Sequence, residues 1–106
     1  MKMNLEPAIK KFLDISTSHI TEQDGALLRN FEPDFKLLMT VENTDYASRV
    51  ICADDPHSVH VIQILRNMGF SINFIRILQE AHKMGCYFVS FDGDGVIIPN
   101  LAAFDW

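Results

Sequence analysis

Cysteine, basic side chains and long apolar runs are all scarce in this sequence, and each scarcity excludes a class of protein. The two cysteines, Cys52 and Cys86, are too few and too far apart for a disulfide scaffold or a cysteine zinc motif. Both lie in apolar stretches, Val50-Ile51-Cys52 and Cys86-Tyr87-Phe88, where cysteine behaves as a small buried hydrophobe. They read as reduced thiols. Nine Lys and Arg stand against fourteen Asp and Glu, a formal net charge of −5. That balance disfavours direct binding to nucleic acid or to an anionic membrane, which needs clustered basic side chains. The acidic excess is itself too thin for a surface that imitates DNA, because the sole adjacent acidic pair is Asp54-Asp55. No window approaches the ~20 apolar residues of a membrane helix. The opening Met1-Lys2-Met3-Asn4-Leu5-Glu6-Pro7 lacks the apolar run of a signal peptide. The expectation is a cytoplasmic protein without membrane contact.

What is present is ordinary for a globular chain. With 106 residues, 48% of them hydrophobic and 22% charged, the chain suits one core and a single domain over residues 1–106. There are no internal repeats and no low-complexity tracts. Leu13-Asp14-Ile15-Ser16-Thr17 alternates with period two and suits a half-buried strand. Thr21-Glu22-Gln23-Asp24 resembles a capping box, with an acid in place of the usual Glu or Gln at its fourth position. A short helix is expected from Glu22 to about Asn30, burying Leu27, Leu28 and Phe31, with Pro33 beyond its end.

Phe35 to Val41 reads as a strand, Glu42-Asn43-Thr44-Asp45 as a turn, and Tyr46 to Ala53 as the returning strand of an antiparallel hairpin. Over residues 57–68, Val59, Ile62, Leu65 and Met68 recur every three residues and Gly69 follows, which favours helix although the β-branched content leaves a strand open. Ser71 to Met84 is a clearer helix, capped by Ser71 and stopped by Gly85. Cys86 to Phe91 is a buried strand. Asp92-Gly93-Asp94-Gly95 is a tight turn, after which Val96-Ile97-Ile98 is expected to return as a second hairpin. The fold class is α+β, two-layer: a mostly antiparallel sheet of four to five strands covered on one face by two to three helices. Leu28, Ile75, Leu78, Phe88 and Phe91 are expected in its core.

The two ends of the chain, "DISTSHI" from Asp14 and "GCYFVSFDGDGVIIPNLAAFDW" from Gly85, resemble a family of short bacterial proteins of unknown function. That family shows an Ile-Ser-Thr-small-His-Ile segment early. A helix ending in Gly leads to an aromatic-rich strand, an acidic turn and a terminal aromatic-Asp-Trp. The middle departs from it: "YASRVICADD" stands where the family has a Gly- and aromatic-rich strand, and two helices are expected here where the family has one. The resemblance implies a genomic setting, on plasmids, prophages and integrative elements, and no assigned activity.

Four groups of residues could carry chemistry. His19 with Ser16, Thr17 and Ser18 could pair a base with a nucleophile. Along a strand Thr17 and His19 would share a face, away from Asp14 and Ser16, and no oxyanion loop is visible, so a strand end entering a capped helix explains the segment better. Asp92 and Asp94 could hold Mg²⁺ or Ca²⁺, but the third acid and the closing Glu of a calcium loop are replaced by Val96 and Ile97, and Asp-Gly is a strong hairpin signal. His57 and His60, three apart, would share a helix face without a third ligand. His82 suits a helix C-terminus. Trp106 either docks on its own domain or reaches a partner. Neither a metal nor any other cofactor is expected.

Three functions compete. The first is a non-enzymatic binding protein, a mobile-element accessory factor that engages a host or phage-related protein, including a counter-defence inhibitor of CRISPR or restriction systems. Trp106, Asp105, Asp54, Asp55 and Tyr46 are its partner-facing candidates. The second is a small metal-dependent hydrolase using His19 with Asp92 or Asp94. The third is a structural or regulatory homodimer.

Overall fold

The computed structural model describes residues 3–34 and 36–106. Phe35, the expected start of a strand, and Met1-Lys2 lie outside the described residues. The chain runs through β1 (Lys11–Ser16), α1 (Glu22–Arg29), β2 (Met39–Asn43), β3 (Ala47–Cys52), α2 (Val59–Met68), α3 (Ile72–Lys83) and β4 (Cys86–Asp92), with 3-10 turns at Glu6–Ala8 and Thr17–His19. The strands form one sheet in the order β1-β4-β3-β2. The β2–β3 hairpin and the β3–β4 pair are antiparallel, and β1 and β4 are parallel. The fold is therefore α+β, with a mixed but mostly antiparallel sheet.

Local chemistry sets the helix limits. Thr21 and Asp24 exchange side-chain and backbone hydrogen bonds in a complete capping box at α1, as the sequence suggested. Ser71 accepts the Phe74 N–H at the start of α3. Gly69 ends α2 at φ 104° and Gly85 follows α3 at φ 78°, the left-handed region that glycine enters without steric cost. Residues 57–68 are thus mostly helix, but the inward stripe is not the expected one. Val61 and Leu65 are buried while Val59 is 70% exposed. A spacing of three falls short of the helical repeat of 3.6, so Val59 and Met68 lie on opposite sides of the helix.

The core lies between the helices and one sheet face. Ile15, Met39, Val50, Val89 and Phe91 pack with Leu28, Leu65, Phe74, Ile75 and Leu78. Each such side chain contributes about 1.5–3 kcal/mol by leaving water. Phe88 was expected among them and is not: strand alternation turns Val89 and Phe91 inward, so Phe88 faces outward. It stacks on Phe12 at 4.9 Å, with the Arg49 guanidinium 4.6 Å from its ring centre.

The second hairpin is also absent. β4 has β1 on one edge and β3 on the other, so the chain after Gly95 cannot return against it. Val96 instead makes a single parallel bridge to Ile15 on the free edge of β1, where its carbonyl accepts the Ser16 N–H at 2.9 Å.

Candidate functional site

The "DISTSHI" segment is strand only as far as Ser16. Thr17–His19 form a 3-10 turn, with Ser16 Oγ accepting the Ser18 N–H, so strand alternation does not govern where Thr17 and His19 point. His19 is 1% exposed. Its Nε2 accepts the Ile98 N–H at 2.9 Å, which places the ring proton on Nδ1. Nδ1 then donates to the Ala102 carbonyl at 2.8 Å. Both ring nitrogens are committed to the backbone of the C-terminal segment. Phe104 N–H donates to the Ser18 carbonyl at 2.6 Å, and Trp106 Nε1–H to the Ile20 carbonyl at 2.9 Å. Residues 96–106 thus form a strap laid along residues 15–20, with His19 as its clasp.

The acidic turn has local work. Asp92 Oδ1 accepts the Asp94 N–H at 2.9 Å, and Gly93 N–H donates to the Tyr46 carbonyl at 3.2 Å. Among the described residues, no hydrogen bond joins His19 to Asp92 or Asp94.

The Trp106 ring rests on α1 at Gly25, where an added Cβ would lie 2.6 Å from the indole, yet the side chain remains half exposed. Tyr46, in the β2–β3 turn, is 76% exposed. These two rings, sixty residues apart in the chain, line one cleft of about 440 Å³ with Thr17, Glu22, Arg29 and Ser48. Arg29 donates to the Thr44 carbonyl, tying α1 to the hairpin and closing one side of the cleft. Asp105 is exposed beside Trp106. Asp54 and Asp55 belong elsewhere, in the loop between β3 and α2. Asp54 Oδ2 accepts the Leu38 N–H at 3.2 Å. Two of the five sequence-chosen partner residues therefore meet in the cleft. Sequence reasoning missed Arg29 and Glu22, which carried no signal beyond being ordinary surface charges of a helix.

A second cleft, of about 450 Å³, opens between α3 and the strap and is largely apolar, with Leu13, Ile77, Met84, Ile98 and Leu101 around His19.

The histidines pair differently from their spacing. His57 precedes α2 and does not share a helix face with His60. His60 donates from Nε2 to the Lys36 carbonyl at 3.2 Å. His57 Nδ1 lies 3.0 Å from Asp55 Oδ1, and His82 Nε2 lies 3.6 Å from the same oxygen. Hydrogen bonds from the His57 backbone and then its ring hold the Asp55 carboxyl below the usual carboxylate range. Cys52 and Cys86 are both free and half-buried. Burial, above all, pushes the Cys52 thiol up to about 11, so it is protonated at neutral pH. Among the described residues no helix is long and apolar enough to cross a membrane.

Residues 12–106 match the family model described as "Family of unknown function (DUF5983) C-terminal domain". The chain belongs to this family. As a DUF5983 C-terminal domain it contains all of β1 but Lys11, with the clasp, the cleft and the strap, within the matched region. It matches no curated protein and no solved structure.

Proposed function

We propose that this protein is a non-enzymatic binding protein that docks a protein partner in the cleft between Tyr46 and Trp106. The observation that carries this reading is the convergence of two exposed aromatic rings and an arginine on one concavity. Tyr, Trp and Arg dominate binding energy at protein interfaces: the rings bring large contact area at low entropic cost, and the guanidinium brings a planar fork of hydrogen-bond donors. The hydrolase reading has less support. His19 holds two backbone groups with its two nitrogens, leaving no lone pair or proton for a substrate. The setting that the sequence resemblance implies makes the partner a host or competing-element protein, and the role that of a mobile-element accessory factor. A counter-defence inhibitor is the form of that role we put forward.

The test is capture of a partner from host extract on the immobilised protein, followed by affinity measurement with the purified partner. Tyr46→Ala should melt as the parent does, because the ring is exposed, and should weaken binding by about 2 kcal/mol or more. A captured protein that binds the Tyr46→Ala variant as tightly as the parent would remove the cleft from the interface. A hydrolytic activity abolished by His19→Gln in a normally folded variant would return the enzyme reading.

A further inference from the structure

We propose that Asp55, His57 and His82 form a binding site for a divalent transition-metal ion, with Zn²⁺ the best match to their donor chemistry. The site is independent of the cleft and of the partner reading. One ligand atom from each of Asp55, His57 and His82 lies within 4.8 Å of the other two, and both His57 Nδ1 and His82 Nε2 face Asp55 Oδ1. Tetrahedral Zn²⁺ with bonds of about 2.0–2.1 Å holds neighbouring ligand atoms about 3.3 Å apart. The contacts of 3.0 Å from Asp55 to His57 and 3.6 Å from Asp55 to His82 bracket that separation. The imidazole rings meet edge to face, with centres 5.8 Å apart, so their ring nitrogens converge on the carboxylate while the rings stay clear of each other. Two imidazoles and one carboxylate are a borderline donor set that suits Zn²⁺ and its first-row neighbours better than Mg²⁺ or Ca²⁺, which take oxygen.

The ligands are also held in place. The carboxylate accepts the His57 N–H at 2.8 Å, and the Ser58 N–H donates to the Asp55 carbonyl at 3.0 Å, which fixes the turn between them. Gln79, one turn before His82 on α3, donates from Nε2 to the Pro56 carbonyl at 3.0 Å. Pro56 itself is buried. The loop carrying Asp55 and His57 is therefore pinned to the same helix that carries His82, so the ion would find its three ligands arranged beforehand. All three are exposed, which leaves the fourth position to water. Bound there, the ion would cross-link the entrance of α2 to the end of α3.

Spacing along the chain hid this site. His57 and His60 looked like the pair, whereas the imidazole that joins His57 and Asp55 comes from residue 82.

Calorimetric titration of the full chain with Zn²⁺ should give one saturable site and a melting temperature that rises with Zn²⁺. His57→Ala and His82→Ala should each weaken binding by at least the 10- to 100-fold that losing a mere supporting partner of a metal ligand causes, about one to two decades. His60→Ala should bind as the parent does. Cys52 and Cys86 line a cavity of about 20 Å³ beside Pro56 and His82, so the Cys52→Ser, Cys86→Ser double variant is required as well, and it should retain the site. The proposal fails if no saturable heat appears at millimolar Zn²⁺. It fails equally if binding survives His82→Ala, or is lost in the double cysteine variant with its fold intact.

Discussion

Asp24 shows how much one side chain can organise. It is fully buried, and its carboxylate accepts the Thr21 N–H at 3.0 Å, the Ser71 N–H at 2.8 Å and the Ser71 hydroxyl. One negative charge thereby sits at the N-termini of both α1 and α3, where the helix dipoles favour it. Asp24→Ala would strand two backbone donors and a hydroxyl at a cost of ~1–3 kcal/mol for each buried group. The expected loss, read by urea unfolding, is about 3–5 kcal/mol, with Asp24→Asn between that variant and the parent because one acceptor oxygen survives. The local half of this arrangement was legible in Thr21-Glu22-Gln23-Asp24, since a capping box is a four-residue pattern. The half that reaches Ser71 was not, because nothing in a sequence marks a partner forty-seven residues away. His19 failed to disclose its role for the same reason. Its hydrogen-bond partners are the backbone groups of Ile98 and Ala102, and backbone groups carry no residue signature.

At the scale of elements, punctuation by capping residues and glycine made α1 and α3 legible to within a residue or two, whereas α2, with no side-chain cap at Ser58 and much β-branched sequence, stayed open between helix and strand. The strands were read less well. Leu37 is buried although it precedes β2, while its neighbours Lys36 and Leu38 are exposed, so the apolar run that suggested a longer strand belongs partly to a turn that sinks one side chain into the core. The terminal hairpin was inferred from its Asp-Gly turn, and the turn exists, but which strand the chain meets next depends on a sheet order that no local pattern encodes. The strap is the element with the sharpest test. Gly25→Ala should favour α1 by up to about 1 kcal/mol on helix propensity alone. Its new Cβ would nevertheless lie 2.6 Å from the Trp106 ring, closer than carbon atoms approach. The indole should lift off, lose its bond to the Ile20 carbonyl and emit at longer wavelength, while the melting temperature changes little. Trp106 is the only tryptophan, so the emission maximum reports it directly. An unchanged maximum would mean that the ring slides along the helix and stays docked.

At the scale of the molecule, the α+β class followed from the alternation of helical and strand-like stretches, and the parallel β1–β4 pair did not. That pairing has a consequence in time. β4 fills the inner slot between β1 and β3, and the ribosome makes it after β1, β2 and β3. Until it emerges, β1 has no neighbour in the sheet, and the β2–β3 hairpin must stand as a two-stranded unit that is marginal in water. A chain stopped at Gly85 should show no cooperative unfolding by circular dichroism, even with all three helices encoded. The 106-residue chain should refold over milliseconds to seconds, as domains closed by distant strand pairs do, and a microsecond refolding phase carrying the full amplitude would contradict this. β4 completes the sheet, so a nascent copy holds its apolar faces unpaired until residue 92 has left the ribosome, and that interval is when the protein is most open to chaperones and proteases.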